Sequence, residues 1–290
     1  MALNSDDLRL YEDDGLLLPK VGPWSTTKHQ KFQYYSSIFA RSMKNQWKCR
    51  IYIDLFASAG KCRVRNSSKV VPGSPLLALS VDDPFDKYVF CEKNPKRMAA
   101  LQTRVQRYFP SRECSFIDGD INESIEKLFK VIPKFSKEDT GLTLCFVDPD
   151  KRRDLNFETL RQLANRLYID FLVLIPSYMD INRNEQPYTQ ADNEAIDQYL
   201  GTTEWRSAWE NRNIQTKNFG LFIAEQFCQQ MQKLGYIYET LEDLDLVKMQ
   251  IEQNLPLYHL YVFSREELGL RFWRETKKKT NTQLKLDFGK

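Results

Sequence analysis

Acidic residues stand at the ends of apolar runs along this chain. They are Asp54 in IYIDLFASAGKCR, Glu92 in FCEKN, Asp118 and Asp120 in IDGDINES, and Asp148 in CFVDPDKRR. A carboxylate at such an edge accepts hydrogen bonds from hydroxyls and amines, or holds a proton beside a reacting group. Asp54 can receive an ammonium group or fix its own turn through backbone N–H groups. Phe56, Ser58 and Gly60 complete that turn. Ser58 and Ala59 stand where nucleotide-binding turns often carry glycine, and Gly60 permits close backbone approach. Glu92 has the placement of the acid that receives both ribose hydroxyls in dinucleotide-binding folds. It lies 32 residues beyond Gly60 instead of the usual spacing of about 20, and a loop over 61–73 accounts for the excess. Asp118, Asp120 or the amide of Asn122 can reach the exocyclic amine of an adenine, although an aspartate before a helix is also an ordinary N-cap. Asp148, stiffened by Pro149, can bind or deprotonate an amine; Asp-Pro is equally an ordinary turn initiator. IPSYMDINR adds Tyr178, which can stack on a ring, and Arg183, which can pair with a phosphate or an internal carboxylate. VVPGSPLLAL reads as a helix start, with Ser74 as N-cap and Pro75 at the first helical position, an end that favours anions.

The elements that would carry these residues follow from periodicity. Strand patterns fall at 51–56, 87–91, 114–118, 142–147 and 170–175, and helical patterns at 74–82, 95–108, 122–131 and 156–168. Strands alternating with helices of this length predict an α/β fold with a mostly parallel sheet covered on both faces. Ahead of it, Phe32, Tyr35, Phe39, Met43 and Trp47 define one face of a helix over 24–47. Residues 1–23 read as an irregular acidic lead, about 185–215 as a helical insertion, and 276–290 as a basic tail. FGLFIAEQFCQQMQKLG predicts a long amphipathic helix, and the segments either side of EQNLP a C-terminal antiparallel hairpin. A single domain over 24–275 is expected.

Composition narrows the class. With 290 residues, 42% hydrophobic and 28% charged, the chain can bury a large core. No apolar run reaches the roughly 18–20 residues of a membrane span, and the acidic start lacks a signal-peptide layout, so a cytoplasmic protein without membrane association is expected. The net charge is +3, with Lys61, Arg63, Arg65 and Lys69 clustered in one loop and five cations within 271–279. Such runs are solvated faces or a nucleic-acid footprint; on the second reading Lys61 and Arg63 would meet substrate, as would Arg183. Six scattered cysteines without a CxxC pair, and two histidines, argue against a structural metal site. No GxxxxGK[ST] is present, which argues against a P-loop. Carboxylates after successive strands suit a ligand carrying an amine, a ribose and an adenine, as S-adenosylmethionine does.

VGPWSTTKH, YIDLFASAG, PGSPLLAL, DGDIN, FVDPD and LYHLYVFSREELGLRFW, in this order from about residue 21 to residue 275, resemble the three-Cys-motif partner proteins of bacteria. That family is similar to class I S-adenosylmethionine-dependent methyltransferases, and its name refers to cysteines in an associated protein. The resemblance implies a Rossmann-like, seven-strand sheet ending in the hairpin, with S-adenosylmethionine as cofactor and a protein partner. It implies Asp54 and Gly60 in the first cofactor motif, Glu92 at the ribose, Asp120 or Asp118 by the adenine, and Asp148-Pro149 at the catalytic edge. Here the turn reads FASAG where the family more often has FAGPG. The edge reads Asp-Pro-Asp-Lys where amino-group methyltransferases often have Asp-Pro-Pro-aromatic, so Tyr178 would have to supply the aromatic.

The expected function is therefore a transferase of the methyltransferase type with an unidentified acceptor, nucleic acid being one candidate. A partner or sensor module that keeps the fold without the chemistry is the first alternative. A metal-dependent nuclease using Asp148, Asp150 and Lys151 is the second.

Overall fold

Near-continuous apolar runs such as IYI, YVFC and LTLCFV cannot face water on either side, and they become the buried parallel strands of the fold. The computed structural model describes residues 8–177, 185–190, 192–212, 218–238, 245–249 and 255–287. The chain divides into two compact units, Met1–Val147 with Arg271–Lys290, and Asp148–Leu270.

The first unit runs β1 (Lys20–Val21), α1 (Ser25–Met43), β2 (Cys49–Asp54), β3 (Lys61–Val64), β4 (Val70–Pro72), α2 (Ser74–Leu79), β5 (Lys87–Glu92), α3 (Pro95–Tyr108), β6 (Cys114–Asp118), α4 (Ile121–Val131) and β7 (Gly141–Val147). Its main strands are parallel in the order β6-β5-β2-β7, with Ile53 level with Val89 on one side and Cys145 on the other. β2 is thus central, and strand order reverses beside it, where open α/β sheets hold ligands at the carboxyl ends of their strands. On α1 the expected face is buried: Phe32 meets Tyr52 and Phe146 with ring centroids 5.8 and 4.6 Å apart. Burial of each such ring stabilises the unit by about 2 kcal/mol. The helix stops at Met43, whose carbonyl accepts the amides of Gln46 and Trp47 in a turn, short of the expected residue 47.

Two segments expected to be irregular are ordered. Stretch 61–73 contains a hairpin, β3 against β4, and the lead adds β1 in parallel to β3, so Lys20 pairs with Arg63 and Val21 with Val64. Cys62, Val64 and Val71 with Val21 form a small apolar cluster under this three-stranded sheet. Two-residue strands and a short hairpin leave almost no periodic signal, which is why the pattern of the sequence missed them.

The second unit carries a 3-10 turn at Arg152–Asp154, then α5 (Phe157–Arg166), β8 (Ile169–Ile175), α6 (Glu185–Thr189), α7 (Ala195–Leu200), α8 (Glu204–Glu210), α9 (Phe219–Lys233), β9 (Asp245–Met249) and β10 (Leu255–Phe263). β10 lies antiparallel between β8 and β9, so the expected C-terminal hairpin is present. Phe227 of α9 packs against Phe157 and Tyr199, with centroids 5.6 and 5.0 Å apart. The last helix, α10 (Glu267–Asp287), takes in most of the expected basic tail. From Arg271 onward it belongs to the first unit, where Trp273 packs edge-on against Tyr35 and Lys31 donates to Asn281 at 2.8 Å. Its cations Arg271, Arg274, Lys278 and Lys279 face solvent, while Trp273, Thr276 and Thr280 are buried. The fold class is the one expected: α/β, with parallel strands alternating with helices and an antiparallel C-terminal hairpin.

Candidate functional site

The turn after β2 is built by hydrogen bonds from both flanking strands. Leu55 donates its amide to Phe146 O at 3.2 Å and Ala57 to Cys91 O at 2.9 Å, so the chain leaves β2 between the ends of β7 and β5. Asp54 is buried, accepting the Phe56 amide at 3.2 Å and the Tyr52 hydroxyl at 3.0 Å. Burial first, and then the Asp54 charge, pushes the Tyr52 phenol well up, so it stays a donor. Asp54 therefore fixes the turn.

Ser58 then adopts φ +55° and Gly60 φ +81°. A serine in the left-handed region costs about 1–3 kcal/mol and persists only where its surroundings impose it. Here Glu92 imposes it: Oε2 accepts the Ser58 amide at 2.9 Å, while Oε1 accepts the Asn94 amide at 2.7 Å. One buried carboxylate ties the turn after β2 to the turn after β5. An ionised carboxylate is acceptor-only, with about four acceptor positions over its two oxygens. This chemistry fits a ribose. The left-handed φ of Gly60 is what favours glycine there, and its carbonyl accepts the Gly73 amide at 2.7 Å, closing the turn.

At the third strand end, Asp118 is exposed and level with Glu92 across β5 and β6. Asp120 is the N-cap of α4, accepting the Asn122 amide at 3.0 Å and its side-chain Nδ2 at 2.7 Å. These two side chains are engaged with each other, which leaves Asp118 as the carboxylate presented at this edge. Ser74 is not the N-cap of α2. Gly73 takes that position in an extended conformation, and Ser74, buried, is the first residue of the helix.

The cations expected to meet substrate behave differently. Lys61 is fully buried and donates to Arg9 O, Glu12 O and Tyr108 at 2.8, 3.0 and 3.1 Å, so it is an internal anchor and does not face an acceptor. Arg63 pairs with Asp13 on a half-exposed surface. Arg65 and Lys69 are exposed.

In the second unit Asp148 is partly exposed. Its electrostatic neighbour there is Tyr258 of β10, whose phenol is pushed well up by burial, then by Asp148 and Asp245. The Tyr258 hydroxyl is buried and finds no hydrogen-bond partner among the described residues. Sequence reading missed it, because a tyrosine in the apolar run LYHLYVF looks like a strand core residue. Ser177 Oγ lies 2.7 Å from His259 Nδ1, and burial lowers that imidazole to about 4; with the serine at 0% exposure the pair is internal. Tyr178 and Arg183 lie outside the described residues. Among the described residues no three His, Cys, Asp or Glu side chains gather as a metal site, so Asp148 and Asp150 find no third carboxylate. No helix of the described residues is long and apolar enough to cross a membrane.

No protein-family model matches the chain, and no curated protein matches it. Solved structures do. A Legionella pneumophila protein of the family designated DUF519 is 11% identical, with 86% of this chain and 91% of that one covered at a TM-score of 0.50. An O-methyltransferase from Bacillus cereus in complex with SAH is 10% identical over 86% and 84% of the two chains, TM-score 0.45. A precorrin-6y C5,15-methyltransferase from Geobacter metallireducens is 10% identical over 80% and 87%, TM-score 0.39. At these identities the likeness concerns the fold alone.

Proposed function

We propose that the first unit binds S-adenosylmethionine and that the protein is a methyltransferase of the class I type. The observation that carries this reading is the Glu92 carboxylate, which joins two strand-end turns at the reversal of strand order, where a ribose would lie. Asp54 would hold the turn, the Ser58–Gly60 backbone would lie against the ligand, and Asp118 would receive the adenine amine. The cofactor supplies an electrophilic methyl group on a sulfonium. Asp148 would accept a hydrogen bond from the acceptor and orient its lone pair, a contribution made through alignment. Tyr258, with a hydroxyl in search of a partner, would be the aromatic donor of that edge. The three-Cys-motif resemblance adds a protein partner.

The test is calorimetric titration of S-adenosylmethionine and S-adenosylhomocysteine into the pure protein, with Glu92→Ala and Asp54→Asn beside it. Binding weakened by both substitutions supports the reading. A folded protein that takes neither ligand at millimolar concentration overturns it and leaves the partner module that keeps only the fold.

A further inference from the structure

The lead ahead of α1 is built into the back of the candidate ligand turn. Its Asp14, 4% exposed in the side chain, meets the guanidinium of Arg104 with both oxygens, at 2.7 Å to Nη2 and 2.8 Å to Nε. Lys61 Nζ stands 3.4 Å from the same carboxylate, and the Tyr108 hydroxyl donates to it at 3.3 Å. The remaining Arg104 nitrogen, Nη1, donates to Leu17 O at 3.0 Å and to Ala59 O. One fully buried guanidinium therefore grips the lead through Asp14 and Leu17, and the turn through Ala59. Arg104 also stands three residues past Leu101, the residue that closes over Gly60, on the same face of the helix. Burial would raise the Asp14 carboxyl, but the Arg104 hydrogen bond, its charge and that of Lys61 outweigh this and hold it well below the usual carboxylate range.

We propose that Asp14 is a positioning residue for the ligand turn. It keeps Arg104 aimed at the Ala59 carbonyl, and thereby sets the Ser58 amide and the left-handed Gly60 in the shape a ligand meets. The proposal rests on the reading that this turn holds S-adenosylmethionine. Without the carboxylate two buried cations, Lys61 and Arg104, face each other in a medium that screens them poorly. Arg104 must then withdraw, and Ala59 loses its donor. Since β1 and the 3-10 turn at Arg9–Tyr11 belong to the same segment, the lead and the turn rise or settle together.

The experiment compares unliganded wild type, Asp14→Asn and Leu128→Ala by hydrogen exchange, and titrates S-adenosylhomocysteine into each. Leu128→Ala is a cavity variant on α4 in the same unit, and controls for lost stability. In Asp14→Asn, peptides covering residues 55–60 are expected to exchange at least tenfold faster while those covering β6 do not change, and ligand affinity to fall at least fivefold. Leu128→Ala should leave both the turn and the affinity as in wild type. Unchanged exchange at 55–60 in Asp14→Asn, equal loosening of the turn in Leu128→Ala, or an unaltered affinity beside a loosened turn each overturns the proposal. Should Asp14→Asn not fold, Arg104→Lys keeps the charge, removes the fork and carries the same expectations. A wild type that takes up no ligand defeats the functional reading alone, because the exchange comparison still decides whether Asp14 holds the turn.

Discussion

Glu92 and Ser58 are joined by a 2.9 Å hydrogen bond, from the amide of a residue in the left-handed region to a buried carboxylate 34 positions away. The same carboxylate takes the Asn94 amide with its other oxygen. The bond links two strand ends whose separate turns carry no strong motif, and makes them one surface.

Glu92→Gln should therefore act on stability and on binding together. The amide keeps one acceptor oxygen and turns an NH2 toward one of the two backbone donors. Loss of a charge-assisted hydrogen bond at a buried site costs about 2 kcal/mol. Urea unfolding should record that loss, and calorimetry an affinity for S-adenosylhomocysteine reduced tenfold or more, equivalent to about 1.4 kcal/mol. An undiminished affinity would remove Glu92 from the ribose.

The strain at Ser58 makes a second, signed expectation. Ser58→Gly relieves the left-handed backbone and leaves stability equal or higher. Ser58→Val, branched at Cβ, lowers it by about 1–3 kcal/mol. Thermal melts of the pair decide it, and equal melting temperatures would mean that the turn relaxes.

Lys61→Met separates an anchor from a substrate contact. Removing one member of a buried ionic cluster costs about 3–5 kcal/mol, and the loss of the ammonium also takes a donor from the carbonyls of Arg9 and Glu12. Denaturation midpoints should fall, while any salt-dependent affinity for nucleic acid, measured on the folded variant, should not change. Loss of affinity with unchanged stability would restore the substrate role.

Acid and base act in opposite directions in the second unit. Asp170 is buried beside Ser264, Arg265 and Glu266, and burial pushes its carboxyl up to about 7. Its folded form binds protons more tightly than the unfolded one, so its contribution to stability is complete below the unfolded value near 4 and is lost as pH rises to about 7. His259, lowered to about 4 by burial, does the reverse: stability is lost as pH falls from about 6.5 to 4. Asp170→Asn should therefore uncover a stability that rises steadily with pH over 4–6.5, and should exceed wild type above pH 7. A wild-type stability already rising as steeply, with no gain from the substitution, would place Asp170 outside this balance.

The main strands and their helices were legible because each is long enough to show its period: β6 and α3 occur over the very residues the pattern marks, and β2, β5, β7 and β8 within two. The lead and the β3–β4 hairpin were not, because two to four residues hold no period and their stability comes from Lys61, Arg104 and Asp14, which are far apart in the chain.

Charge shows the same division. In the linear text Lys61 and Arg63 belong to one basic cluster, and nothing local tells a buried anchor from a surface cation. Alternation, capping and glycine placement are local properties, so sequence was sufficient for the α/β class, the terminal hairpin and the carboxylates at the strand ends. Burial and partnership are properties of residues brought together from afar. They alone assigned Asp120 to its helix, Lys61 to Asp14, and Glu92 to the two turns it joins.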